Sequence, residues 1–480
     1  MQPMGDLLIT GATVVTQNED REVIDDGAIA VEDDEIVDVG PSSVVTDRHG
    51  TDRRIDADGH VAVPGFVNVH VHVSDVLLRG TCRQQSRRLY DWLVNVKQPG
   101  IHAMDVEEHE LAAALYCRES LESGVTTFVE NDAEATVGDT EVAAAKLDVY
   151  DTAGLRGVYG RGVRDLPPDE EFQLLIDRIA AREPTVDHPP QDAYSAPVDA
   201  WLDELDGLHG EYHGGADGRL SVWVAPVVVE AMSDAGLGET YRFAAERDVM
   251  TTIHTAEDPV QADGTLTPVE RLRNAGSLGE HALLGHCVQV DERDVRILAE
   301  TDTRVAHNIG SNMALGNGFA PVPEMRAHGV TLGVSTDNSI LNDAVNPLAD
   351  LRLAVLAHTG HRRNPGVIDP QAALDMVTVE AARAMRRDDD LGSIEAGRKA
   401  DVALVEWERP RLTPAPNVVP ALVYQAGGLN FETVVCNGEV VVEDGTATRV
   451  ESAYPDLLER ANAAAERIRE ASGLAAAESR

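Results

Sequence analysis

Pro64-Gly65-Phe66-Val67-Asn68-Val69-His70-Val71-His72-Val73 is the stretch whose reading decides the fold. Ahead of it Val61 and Val63 alternate with Ala62, and Pro64-Gly65 makes a bend. Phe66 to Val73 then reads as a strand, with β-branched residues at alternate positions. Side chains of a strand alternate faces, so His70 and His72 point the same way, with Asn68 beside them. Two imidazoles on one strand can share a metal ion, and neutral imidazole suits Zn, Fe and Ni. The bland alternative is a pair of polar residues on a solvated strand face. Val69, Val71 and Val73 make the other face apolar. That combination fits a barrel strand whose inner face carries chemistry at its C-terminal end.

Outward from this stretch, strands alternate with helical segments. Strands are expected near 65–72, 124–130, 154–160, 221–228, 249–254, 282–286, 303–307 and 330–336. Helical stretches such as Glu107 to Ser123 and Leu237 to Arg247 separate them. Eight such units favour an α/β fold closed as a (β/α)8 TIM barrel. Residues 1–62 read as short strands around Gly11 and the charged turn Glu32-Asp33-Asp34-Glu35. Strands return near residue 391, where Asn437-Gly438 is a strong hairpin signal. These later strands are expected to pair with residues 1–60. Residues 452–480, rich in Ala, Glu and Arg, read as a terminal helix that frays at its end.

Two loops are long. One follows His72 to about residue 105 and contains Arg79, Arg83, Arg87, Arg88, Tyr90 and Trp92. The other, about 165–218, reads as a peripheral insertion.

Acidic residues number 83 against 40 Lys and Arg, a net charge of −43. Lysine is confined to Lys97, Lys146 and Lys399. This balance disfavours nucleic acid and anionic membrane as partners. Acidic residues run through the whole chain, which reads as a salt-adapted surface. No apolar run is long enough to span a bilayer. Met1 to Thr10 lacks a signal-peptide pattern, so a cytoplasmic location is expected. Cys82, Cys117, Cys287 and Cys436 show no paired spacing, which favours reduced thiols.

Five further strand ends carry polar groups. They are Glu130-Asn131-Asp132, His254-x-x-Glu257, His286-Cys287, His307-Asn308 with Ser311-Asn312, and Asp337-Asn338-Ser339. His70, His72, His254 and Asp337 can converge on one metal, since three imidazoles and a carboxylate suit Zn(II) or Fe(II). A metal there lowers the pKa of water toward neutrality. Asp337 can also take the water proton, Glu257 can shuttle protons to substrate, and His286 can polarise the attacked group. Taken singly, Asp337 reads equally as a helix cap, His286 as a core histidine and Glu257 as a solvated charge. His307 reads as structural, bonding a loop.

The ordered set resembles the amidohydrolase superfamily over almost the whole chain. Pro-Gly-Phe-Val-Asn-x-His-x-His at 64–72 is similar to its opening signature. His254-x-x-Glu257, Gly285-His286-Cys287, His307-Asn308 and Ser335-Thr336-Asp337 are similar to its later ones. Leu391-Gly392-Ser393-Ile394 through Asp401 resembles the return into its β-sandwich. Leu77-Leu78-Arg79-Gly80 and Tyr90-Asp91-Trp92-Leu93 are similar to the aminohydrolase branch, which includes methylthioadenosine/S-adenosylhomocysteine, guanine and cytosine deaminases and s-triazine hydrolases.

The resemblance implies metal ligands at His70, His72, His254 and Asp337, and proton transfer by Glu257, His286 and Asp337. It implies one divalent ion per chain, zinc first and Fe(II) second. It implies a small heterocyclic substrate contacted by Trp92, Arg161, Glu257, His286 and Asn338, and a homodimer by analogy. Arg164 is read instead as a surface ion-pair partner. Strand four, Val222-Trp223-Val224-Ala225-Pro226-Val227, holds no lysine for a carboxylated bridge, so one metal is expected. Ile309 and Asn338-Ser339 depart from the branch's pattern in substrate-facing loops.

The expected units are a composite β-sandwich from 1–62 and 391–450, a barrel over 63–390 and a helical segment over 451–480. The expected activity is hydrolytic deamination. Its rivals are release of chloride or alkylamine from a triazine-like ring, opening of a cyclic amide, and a non-catalytic scaffold on the same fold.

Overall fold

The computed structural model describes residues 6–51, 53–81, 87–262, 265–427 and 431–475. The N-terminal segment forms β1 (Leu7–Val15), β2 (Val23–Glu32), β3 (Glu35–Pro41), β4 (Arg54–Asp56) and β5 (His60–Pro64). The barrel strands are β6 (Phe66–His72), β7 (Val125–Asp132), β8 (Arg156–Val163), β9 (Leu220–Pro226), β10 (Thr251–Thr255), β11 (Ala282–His286), β12 (Arg304–His307), β13 (Leu332–Val334) and β14 (Asp337–Asn338). After them come β15 (Val402–Glu406), β16 (Thr433–Cys436), β17 (Glu439–Glu443) and β18 (Thr446–Ala447).

Two sheets result. The first runs β18-β17-β16-β15-β5-β1-β2-β3, with β4 against β1. Its two halves, far apart in the chain, meet where β15 pairs antiparallel with β5, Ala403 opposite Val63. Leu7, Ile9 and Ile29 from one end of the chain pack with Val402, Leu404 and Val435 from the other. Asn437 and Gly438 turn β16 into β17 at φ 53° and 78°. Positive φ at both central residues suits the twist of a tight hairpin, which is why Asn-Gly stands there.

The second sheet holds the parallel barrel strands from β13 through β6 to β14. The ring closes through an interrupted eighth strand. β13 pairs with β12, and after Ser335-Thr336 the chain resumes as β14, pairing with β6 through Asp337 opposite Val71. Asn68 bridges this break. Its Nδ2 donates to Thr336 Oγ1 at 2.8 Å and its Oδ1 accepts from the Thr336 amide at 3.0 Å. Every residue of β6 and β8 is buried, as expected for strands covered by side chains inside and helices outside.

The 165–218 segment differs from expectation. It is not peripheral. The helix Val198–Tyr212 buries Trp201, Leu205 and Leu208 against the barrel, because a parallel β8-to-β9 connection needs a crossover helix. Residues 166–176 reach the mouth of the barrel. The terminal helix spans Leu457–Ala471, and the expected fraying at 476–480, like Cys82 and Arg83, lies outside the described residues. Cys117, Cys287 and Cys436 are buried free thiols. No helix among the described residues is long and apolar enough to cross a membrane.

Candidate active site

Parallel strands of a barrel deliver their last residues to one end, and here that end gathers His70, His72, His254, His286, Glu257 and Asp337. His70 and His72 leave β6 on its inner face, two residues apart. The ligating atoms of His70, His72 and Asp337 lie within 4.8 Å of one another, and so do those of His70, His254 and His286. The second group adds His286 at ligand range, a placement the sequence reading had not anticipated. The backbone is strained at this end. Ala256, His286, Cys287 and Asp337 all have φ between 48° and 70°. Such positions cost free energy for residues with a Cβ and cluster where side chains must be aimed.

The tautomers follow from hydrogen bonds. His72 Nδ1 donates to the Asn131 carbonyl at 2.7 Å, and His254 Nδ1 donates to the Val227 carbonyl at 2.5 Å. Each Nε2 therefore presents a lone pair. These two lone pairs sit 3.2 Å apart. Asp337 Oδ1 is 3.4 Å from His70 Nε2 and 3.3 Å from His72 Nε2. Both ring nitrogens of His70 and Asp337 Oδ1 are buried and make no hydrogen bond.

Electron pairs crowded this way repel unless a proton or a metal ion lies among them. Burial opposes the proton. It pushes the His72 imidazole down to about 3, that of His254 well below the ordinary value, and that of His70 down as well. Burial works to raise the Asp337 carboxyl, but the His70 and His72 rings beside it hold it well below the usual carboxylate range. Neutral imidazoles with inward lone pairs and an ionised carboxylate are the donor set of a divalent ion, and the residues fit one.

Glu257 is buried, and burial pushes its carboxyl up to about 7. Asn317 Nδ2 donates to its Oε1 at 3.0 Å, and Oε2 lies 3.6 Å from His286 Nε2. His286 is clamped by amides. Its Nδ1 is 2.8 Å from Asn312 Oδ1, and Asn308 Nδ2 is 3.1 Å from its Nε2. Ser335 Oγ in turn donates to Asn308 Oδ1. Asn338 Nδ2 donates to Asp75, which ties the end of the eighth strand to the segment after β6.

A cavity of about 330 Å³ opens above these groups. His72, His254, Glu257, His286, Asp337 and Asn338 form its floor, and Trp92, Leu93, Tyr90, Phe172, Leu166 and Ile176 give it apolar walls. Its size and lining suit a substituted aromatic ring.

Four sequence readings are corrected here. Arg161 does not reach the cavity. On β8 it shares the outward face with Tyr159, two residues away, and its guanidinium is 1% exposed between Glu204 Oε2 at 3.0 Å and the Thr136 carbonyl at 2.7 Å. Arg164, just past the strand end, is no surface ion-pair partner. It is 9% exposed, lines the cavity and lies 5.3 Å from the Tyr194 ring centre. Of Glu130-Asn131-Asp132, only Asn131 serves the site. Glu130 and Asp132 pair with Lys146, at 2.7 and 3.2 Å, on the outer side of the strand. His307 meets His358 Nε2 at 3.2 Å, on the helix Pro347–Arg362 rather than on a loop.

Lys97, Glu134 and Asn317 were not picked out from sequence as site residues; Asn308 and Asn312 were named as strand-end groups without a role. One signal was available for Lys97, a lysine in a chain that has three.

The amidohydrolase family pattern matches residues 61–441. An s-triazine hydrolase of Gordonia rubripertincta is 29% identical, over 95% of this chain and 96% of that protein. A 5-methylthioadenosine/S-adenosylhomocysteine deaminase of Desulforamulus reducens is 31% identical, over 92% and 94%. A mutant atrazine chlorohydrolase of Arthrobacter aurescens, solved with zinc and atraton, superposes with TM-score 0.83 at 25% identity, covering 96% of this chain and 99% of that one.

Proposed function

The chain belongs to the amidohydrolase family, and on that premise we propose that it is a mononuclear metal-dependent aminohydrolase that deaminates a nitrogen heterocycle. The observation that carries the reading is the pair of imidazole lone pairs 3.2 Å apart beside the Asp337 carboxylate, at the floor of an apolar cavity. His70, His72, His254 and Asp337 hold one divalent ion. The absence of lysine from β9 favours one ion over two, and zinc is favoured by the chlorohydrolase solved with it.

The bound ion supplies Lewis acidity and lowers the pKa of water toward neutrality. The chain's own groups do the rest. Trp92 and Leu93 stack the ring and exclude solvent. Glu257, half-protonated near pH 7, delivers a proton to the ring nitrogen next to the attacked carbon. His286, held by Asn308 and Asn312, orients the attacked group. Asp337, ionised, would take a proton from the attacking water and pass it to the leaving amine, which departs as ammonia. Methylthioadenosine/S-adenosylhomocysteine-type purines are supported by the deaminase relative. Release of chloride or alkylamine from a triazine is the second reading, supported by the triazine hydrolase relative.

On the same reading, residues 1–62 with 391–450 form the β-sandwich, 63–390 the barrel and 451–480 the terminal segment. The charge of −43 supports a salt-adapted surface, and the free thiols of Cys117, Cys287 and Cys436 support a cytoplasmic location. The test is ammonia release at high KCl, with zinc or Fe(II) restored, from purine nucleosides, free bases and aminotriazines. Turnover that is unchanged in Asp337→Ala or His254→Ala refutes the reading. Chloride or alkylamine as product selects the second.

A further inference from the structure

Lys97 is the cavity-lining group that the mechanism leaves unused. It ends a π-helical turn, Leu93–Lys97, in the segment after β6. Irregular turns of this kind are frequent at functional sites. The side chain is 3% exposed, yet it lines the cavity beside His72 and Asp337. Asp75 Oδ2, 3.3 Å away, is the one carboxylate within ion-pair distance among the described residues. Asp75 also accepts from Asn338, next to Asp337. The ammonium lies 5.7 Å from the Trp92 ring centre, against the same wall that stacks the substrate ring.

An ammonium has three N–H donors and no acceptor. One faces Asp75, and since the residue lines the cavity the other donors are free for a ligand there. Burial opposes its charge, but Asp75, Glu134 and Asp337 outweigh that and hold its pKa above the ordinary value. A buried ion pair is weak evidence for stability, since apolar replacements often serve as well. Its place beside the reacting centre gives it a use.

We propose that Lys97 is a specificity-determining residue that selects a ring carrying an exocyclic oxygen, rather than an amine, on the carbon across one ring nitrogen from the reacting carbon. The inference rests on the deaminase reading of the site and narrows its substrates to oxo-heterocycles, against the adenine-type purines that the deaminase relative suggests. An oxygen accepts a charge-assisted hydrogen bond from the ammonium. An amine in that place sets N–H against N–H and leaves the remaining ammonium donors unpaired, which a desolvated site penalises.

The test uses matched pairs that differ in one group: ammeline against melamine, guanine against 2,6-diaminopurine, and cytosine against 2,4-diaminopyrimidine. With the zinc-loaded protein and the product identified, kcat/KM for release of the amine that both members share should favour the oxo member by about 10- to 100-fold, the range for a charge-assisted bond. Lys97→Met should collapse that ratio toward one, and Lys97→Arg should keep most of it. Because Lys97→Met strands Asp75, the double variant with Asp75→Asn repeats the measurement. A second arm needs no turnover: calorimetric binding of cyanuric acid against melamine should show the same preference and the same loss. Equal rates and affinities for both members, or equal losses on both in Lys97→Met, overturn the proposal. Preferential binding that depends on Lys97, with no ammonia from any compound, supports it and refutes the deaminase reading alone.

Discussion

Metal affinity should be nearly independent of pH between 7.5 and 5.5. An ordinary imidazole titrates near 6.5 and must lose its proton before it can ligate. Lowering the pH from 7.5 to 5.5 therefore weakens a site by about 10-fold per imidazole, or about a thousandfold for three. Here burial has already removed those protons. His72 is pushed down to about 3 and His254 lies well below its ordinary value, so neither contributes a factor. His70 is lowered too, and adds at most the one remaining factor of about ten. Asp337 is ionised throughout. The expected loss is thus under about 10-fold rather than a thousandfold. The assay strips the metal with a chelator and titrates zinc back by competition calorimetry at pH 7.5, 6.5 and 5.5. Buffers of different ionisation enthalpy count the protons released. A thousandfold loss, with close to three protons released per zinc at pH 5.5, would refute the account of a pre-formed, deprotonated site.

Other outcomes follow from single groups. Glu257→Gln should lower kcat by about 100-fold or more, the range of positioned acid–base catalysis, with zinc content by atomic absorption unchanged. Asp350 is buried in the first turn of Pro347–Arg362 and pushed up to about 7 by that burial. Its folded value exceeds the unfolded one, so the folded state loses stability as pH rises from about 4 to 7. Asp350→Asn should then stabilise by roughly 2–4 kcal/mol at pH 8 and by little at pH 4, read from urea midpoints. Lys146→Met leaves Glu130 and Asp132 without their buried cation. It should destabilise by about 3–5 kcal/mol, with part recovered on adding Glu130→Gln.

The contrast between Arg161 and Arg164 shows where sequence reading stops. Alternation along β8 establishes that Arg161 shares a face with Tyr159. It does not say which face is inner, because β8 is buried on both sides. Glu204, 43 residues on, decides it by meeting the guanidinium on the outer layer. The 165–218 segment failed likewise, since its apolar residues are too widely spaced to announce that Leu166, Phe172 and Ile176 close over a cavity.

The sequence by itself determined the barrel, its strand order and the polar residues at its strand ends. Those features rest on local periodicity and turn chemistry, which neighbouring residues carry. It also determined that His70 and His72 share a face, since two residues on one strand must. Only the tertiary structure decided that His254 and His72 present lone pairs to each other. Their tautomers depend on carbonyls of Val227 and Asn131, contributed by other strands. It alone decided that Glu257, His286 and Lys97 are buried in one cavity, with burial raising the Glu257 carboxyl. Burial and hydrogen-bond partners come from residues distant in the chain, and a charge acquires its working strength only when the fold removes its water.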